Sequence, residues 1–181
     1  MDTALELFAE NGFHATSISQ ISKKAGISKG LIYNYFESKH EILEEIINYG
    51  FREVQDLLDP NKDGILTEDE FIQFLEQSFN LVKNNHRHWK LYFSLMLQPI
   101  VSENFTTKYA ETGEPIFRMM YEFIASKGSP DPEGDLMIIS AMIEGAFLYA
   151  IAVPDVFPID AMKTKIIDGV FRIINSRTKT V

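Results

Sequence analysis

The stretch at residues 16–36, TSISQISKKAGISKGLIYNYF, restricts the fold more than any other part of the chain. Ile18 and Ile21 stand about one helical turn apart, so they share a face. Ala25, Gly26 and Ile27 follow as a tight turn, with Gly26 able to take a positive φ. Ile32 and Phe36 then recur at a spacing of four and pack a second short helix back on the first pair. Two short helices joined by a glycine-containing turn make a helix-turn-helix, whose second helix enters the major groove of DNA.

The rest of the chain keeps the same helical period, and period-2 alternation is missing. Helices are expected over 3–11 (Leu5, Phe8 and Ala9 inward, Gly12 the stop), 19–24 and 29–36. A long helix starts after Ser38, with Glu41 completing a capping box, and holds one apolar stripe to Asp59. Further helices are expected over 68–85, 89–97, 114–126, 136–153 and 159–175. The helix over 136–153 is apolar nearly all round, which predicts burial on more than one side. The fold class is all-α, about nine helices, with an N-terminal helix-turn-helix head over 1–48 and a helical ligand-binding and dimerisation body over 49–181.

At ALELFAENGFHATSISQISKKAGISKGLIYNYFESKHEIL, about forty contiguous residues, the chain resembles the TetR family of transcriptional repressors. The carrying elements are ELF-x-x-x-G-F, the Thr16-Ser17 helix start, AGIS, and G-x-I-Y-x-Y-F-x-S-K-x-x-I-L. The resemblance implies a homodimer whose two heads lie about one DNA turn apart on a palindromic operator. It places Ser28, Lys29, Gly30, Tyr33 and Asn34 toward the groove, and Thr16, Ser17, Tyr35 and Lys39 on phosphates. The chemistry suits those roles: hydroxyls and lysines meet phosphate oxygens, and asparagine can pair with adenine. Residues 1–50 hold four lysines against seven acids, yet the lysines, at 23, 24, 29 and 39, gather around the turn and the reading helix.

Residues 59–70, DPNKDGILTEDE, resemble the twelve-residue EF-hand loop. That loop places oxygen ligands at positions 1, 3, 5, 7 and 12 with glycine at 6. Here those positions are Asp59, Asn61, Asp63, Ile65 (through its carbonyl), Glu70 and Gly64, so the resemblance implies a Ca2+ site. The same residues also read as a plain turn, because Thr67-x-x-Glu70 is a capping box and Asp63-Gly64 an ordinary turn pair. Both readings stand at this stage.

In the body, the resemblance implies an apolar inducer pocket lined by Trp89, Phe93, Met96, Phe117, Met120, Tyr121, Met142 and Phe147. Methionine and aromatic side chains suit adaptable apolar binding, although such stripes also build cores. It also implies a dimer seam in which Ala141, Gly145, Ala146 and Ala150 allow close approach, covered by Phe171 and Ile174. His86 and His88 would need a further ligand to hold a metal and read as solvated helix-start residues.

The chain of 181 residues has no cysteine, which excludes a disulfide scaffold, a thiol nucleophile and a zinc–thiolate site. Its net charge of −9 argues against indiscriminate nucleic-acid binding while leaving room for a local basic face. The start, MDTALELFAENGF, lacks the basic and apolar runs of a secretory leader. The richest apolar run, over 136–153, is interrupted by Ser140, Glu144 and Gly145, so no membrane partner is expected and the location is cytoplasmic. No catalytic triad, phosphate loop or paired catalytic carboxylates can be argued from the spacing, and no enzyme is expected. The expectation is an operator-bound repressor released by a small apolar inducer, with no required cofactor and Ca2+ at 59–70 as an additional ligand. The alternative is a calcium-responsive helical binding protein without DNA readout.

Overall fold

The computed structural model of the protein describes residues 1–99 and 113–175. Among the described residues there are nine helices and no strand. They are α1 (Asp2–Asn11), α2 (Ile18–Ala25), α3 (Lys29–Tyr33), α4 (Lys39–Leu58), α5 (Glu68–Asn84), α6 (His86–Met96), α7 (Glu114–Ser126), α8 (Pro132–Ala152) and α9 (Ile159–Asn175).

The ends of these helices follow local chemistry. Ser17 caps α2 and Thr67 caps α5, each with a complete capping box, closed by Gln20 and Glu70 respectively. At α4 the box is half made: Ser38 Oγ accepts from the Glu41 N–H, while the Glu41 carboxylate accepts from the Glu37 N–H. α8 starts a turn earlier than the apolar run. Asp131 Oδ1 accepts from the Gly134 N–H at 3.1 Å and Pro132 fills the first turn, where its missing N–H costs nothing. α3 ends at Tyr33 rather than at residue 36.

The chain divides into two compact units, and the division is not the expected break at 48/49. The first is Met1–Glu53 with the described part of Arg87–Gly113. α6 and the turn that follows it belong with the head because their side chains complete the head's polar contacts. Gln98 Nε2 donates to the Phe8 carbonyl at 2.8 Å, and Gln98 Oε1 accepts from the Phe13 N–H at 3.0 Å. Arg87 pairs with Glu6. Gly50 lets α6 approach α4: a Cβ there would lie 2.9 Å from the Tyr92 hydroxyl.

The second unit is Val54–His86 with the described part of Glu114–Val181, and its core is aromatic. Phe71 stands 5.0 Å from Phe123 and 5.9 Å from Phe171, and Phe79 stands 5.0 Å from Phe147. Leu75, Ile124, Ile139 and Val170 close the space between α5, α7, α8 and α9. α8 is buried on one side, not on several. Leu136, Ile139, Ile143, Ala146 and Ala150 face the core, while Met137 and Ile138 are 58% and 57% exposed. By length and composition α8 is apolar enough to cross a membrane, with a mean hydropathy of 1.7 over its richest window. Its core-facing side is packed against the rest of its unit.

Candidate nucleic-acid interface

The frame of the head is a small core with its polar groups turned inward. Phe8, Phe13, Ile21, Ile32, Ile42 and Leu43 are buried together in the first unit. The turn between α2 and α3 is closed by Gly26 at φ 69°, whose N–H bonds back to the Lys23 carbonyl. Ser28 then caps α3, its Oγ accepting from the Leu31 N–H at 3.1 Å. Ile32 turns inward, and the rest of α3 is left to solvent.

What remains outside is the expected groove set. Ser28, Lys29, Gly30 and Asn34 are exposed, and Tyr33 and Tyr35 are 54% and 73% exposed. These two open phenols contrast with Phe8 and Phe13, which are buried in the head. Ile27 and Leu31 lie exposed beside the two tyrosines. Those two were not expected as site residues. Their signal was available, because Leu31 precedes the inward Ile32 and must therefore point away from it.

Two residues expected on phosphates are internal struts. Thr16 is 2% exposed, and its Oγ1 donates to the Leu7 carbonyl at 3.0 Å and the Gly12 carbonyl at 2.9 Å. Lys39 turns back on the α1–α2 loop. Its Nζ donates to the carbonyls of Phe13 (2.6 Å), Thr16 (2.7 Å) and His14 (3.3 Å), and sits 4.4 Å from the centre of the Phe13 ring. The reason is that α1 ends in a loop whose carbonyls have no helical partner, and a long cationic side chain at the start of α4 meets three of them at once. Desolvation there holds the Lys39 ammonium below its ordinary value. Ser17 is exposed, with its hydroxyl bonded to Gln20 in the capping box.

The basic cluster is thinner than the sequence implies. Lys24 pairs with Glu6 at 3.0 Å, and that hydrogen bond is the main reason Glu6 is held below the usual carboxylate range. With Lys39 and Lys24 engaged, Lys23 and Lys29 are, of the four lysines in residues 1–50, those left exposed without an ion pair among the described residues.

The loop at 59–70 is held by its own polar groups. Asp59 is buried, and its carboxylate accepts from the N–H groups of Asp63 (3.2 Å) and Gly64 (3.0 Å). Asp63 Oδ1 accepts from the Ile65 N–H at 2.8 Å. Glu70 Oε2 closes the capping box on Thr67. Asn61 Nδ2 lies between the carboxylates, donating to Asp63 at 3.2 Å and to Glu70 at 3.0 Å. Lys62 and Gly64 take positive φ, 61° and 76°. Among the described residues, no three His, Asp or Glu side chains form a metal-holding cluster. The ring of hydrogen bonds therefore accounts for this conformation as a capped turn.

The expected ligand set is divided between the units. Trp89, Phe93 and Met96 lie on α6 in the first. In the second, Met120 is buried in the core, Phe147 packs on Phe79, and Met142 and Phe117 pack at the core's edge. Tyr121 is on the outside of α7. The first unit holds a cavity of about 190 Å3, and of the expected set Trp89 lines it. His88 lines it too, and His86 carries a buried Nε2 without a partner among the described residues, so the pair is not the solvated helix start expected.

Four of the six residues expected at a dimer seam are turned to the core of their own chain. Ala146, Ala150 and Ile174 face the protomer's own core, and Phe171 packs on Phe71. α8 has one buried and one open side, and these alanines share phase with Ile139 and Ile143. Of the expected residues Ala141 is exposed and Gly145 partly so, and the open side continues through Met137, Ile138, Leu148 and Tyr149.

An exposed second helix of a helix-turn-helix is the arrangement of a DNA-binding head. Residues 1–46 match the family model described as bacterial regulatory proteins, tetR family. The chain is 29% identical over 87 residues to the Fatty acid metabolism regulator protein of Bacillus subtilis, covering 48% of this chain and 45% of that protein. It is 27% identical to a transcriptional regulator (TerR/AcrR family) from Aquifex aeolicus, with a TM-score of 0.69 over 94% of this chain and 95% of that one. The fold also matches the transcriptional regulator FadR from Bacillus subtilis in complex with stearoyl-CoA, at 18% identity, with a TM-score of 0.74 over 96% and 95% of the two chains. The chain spans about half the length, or less, of the curated relatives it matches first. Its head, residues 1–46, is similar to the DNA-binding head of the tetR family, and its whole fold is similar to that of TetR-type regulators.

Proposed function

We propose that the protein is a cytoplasmic, homodimeric repressor that covers a two-fold symmetric operator and leaves it when a small apolar molecule binds. One observation carries the DNA reading. Lys29, Gly30, Tyr33, Asn34 and Tyr35 are exposed together on and just after α3, while the polar groups of Thr16 and Lys39 behind them are fully engaged in holding the frame. Asn34 and Tyr33 supply base-edge contacts, and Lys29, Tyr35 and Ser17 supply phosphate contacts. The apolar open face of α8, from Met137 to Tyr149, supports a second copy as its cover. An apolar inducer is supported by the stearoyl-CoA bound to the FadR neighbour. Release is a population shift: the inducer must bind better to the form that does not fit DNA.

The test is selection of bound sequences from random duplex DNA with the full chain, followed by footprinting. A symmetric site with half-sites one helical turn apart is expected, and Tyr33→Ala or Asn34→Ala should weaken it about tenfold, as for loss of one base contact. Selection that enriches no sequence overturns the reading.

A calcium site at 59–70 is the second reading. The observation in its favour is the Asn61 amide, which sits as a donor between two carboxylates in a loop whose fourth and sixth residues have positive φ. A cation there would be held by Asp59, Asn61, Asp63, the Ile65 carbonyl and Glu70. Calorimetric titration of Ca2+ into chelator-treated protein, beside Glu70→Gln, decides it. Saturable heat that disappears in the variant supports the site, and no heat at millimolar Ca2+ leaves a capped turn.

A further inference from the structure

We propose that the first unit binds a small organic cation, of the size of a methylated ammonium, between α1, α4 and α6. The cavity there is about 190 Å3. Pockets for drug-sized ligands run from about 300 to 1,000 Å3, and one water occupies about 30 Å3, so this space suits a guest of roughly six waters' volume. Four rings line it: Tyr49 from α4, and His88, Trp89 and Tyr92 from α6. Trp89 and Tyr92 stand 5.6 Å apart at 72°, which gives two walls near a right angle. Gly50 is what lets Tyr92 lie so close to α4. Leu5 and Ile46 make the apolar floor.

Two carboxylates, Asp2 and Glu53, line the cavity and outnumber the amino group of Met1 beside them; His88 completes the polar lining. The Tyr49 hydroxyl donates to Glu53 at 3.0 Å. That bond, then the charges of Glu53 and Asp2, hold the phenol above its ordinary value, so both carboxylates act on this space. Arg52, 6.0 Å from the Tyr49 ring, is paired with Glu45. An anion would meet two carboxylates. An acyl chain would be too large and would cover them without a partner. A bare divalent ion wants six or more oxygens and finds rings instead. An organic cation gains from both features, since its charge faces the carboxylates and its surface faces the ring π-clouds.

The proposal does not rest on DNA or inducer binding, and its test uses neither. The chain has one tryptophan, so its emission reports on the cavity wall directly. Tetramethylammonium chloride is titrated into the full chain against sodium chloride at matched ionic strength, with tert-butanol as the uncharged look-alike. A saturable change in Trp89 emission is expected with tetramethylammonium, absent with sodium chloride and at least about tenfold weaker with tert-butanol. Asp2→Asn and Glu53→Gln should each weaken binding about threefold to tenfold. Both carboxylates lie outside the buried core, so the variants should fold, and helical circular dichroism checks this. An emission change that follows ionic strength alone overturns the proposal. So does an unchanged affinity in the folded double variant.

Discussion

Lys39→Met separates a strut from a phosphate clamp. The change keeps most of the stem and removes the donors to the carbonyls of Phe13, His14 and Thr16. A hydrogen bond to a charged group contributes about 1.5–3 kcal/mol. Two of the three bonds are short, 2.6 and 2.7 Å, and the third, at 3.3 Å, adds less. The site is half open, so water will reoccupy part of what the ammonium leaves. A net loss of about 2 kcal/mol is expected, equivalent to about 4–8 °C in a chain of this size. Urea unfolding followed by helical circular dichroism reads that loss. The second readout is the salt dependence of operator binding. Removing a cation that neutralises one phosphate makes the slope of log K against log salt shallower by about 0.9, and removing a strut changes no such slope. A lower unfolding midpoint with an unchanged slope is expected. An unchanged midpoint with a shallower slope would refute the strut and restore Lys39 to the DNA face.

Gly26→Ala should destabilise the head by about 1–2 kcal/mol, because φ 69° is left-handed and no neighbour lies within 4 Å of the new Cβ to clash, which leaves backbone strain as the cause; urea unfolding tests it. Asp131→Ala removes the cap on α8 and should cost about 1 kcal/mol, an effect that Asp131→Ser should largely restore. Ile138→Asp puts a charge on the open face of α8 and should turn a dimer into monomer in sedimentation, whereas an unchanged mass would assign the seam elsewhere. Glu144 is held above its ordinary value of 4.5 by desolvation, although its residue surface is open. A carboxyl raised on folding contributes stability that is fully present below 4.5 and is lost as pH rises through the folded value, so Glu144→Gln should stabilise at pH 7 and not at pH 4. Equal shifts in the unfolding midpoint at both pH values would show that charge is not the cause.

The helix-turn-helix was legible because its signals are local. Ile18, Ile21, Ile32 and Phe36 recur at helical spacing, and Gly26 answers a turn that needs positive φ. The limits of α7 and α9 were legible for the same reason, whereas the start of α8 was not, because its Asp–Pro cap has the composition of a loop. Local patterns also put Tyr33, Tyr35 and Lys29 outside, since the inward residues of α3 fix which way the others point. The roles of Thr16 and Lys39 were not legible. Lys39 meets the carbonyl of Phe13 26 residues away, and no spacing rule announces which carbonyls a folded loop leaves open. Gln98 is the same case at a separation of 90 residues. The side of α8 that faces its own core was undetermined for a different reason. The helix is apolar nearly all round, so its periodicity carries no direction, and the choice between Ala146 and Ala141 as the inner residue was made by Phe79, Phe123 and their neighbours filling the space on one side.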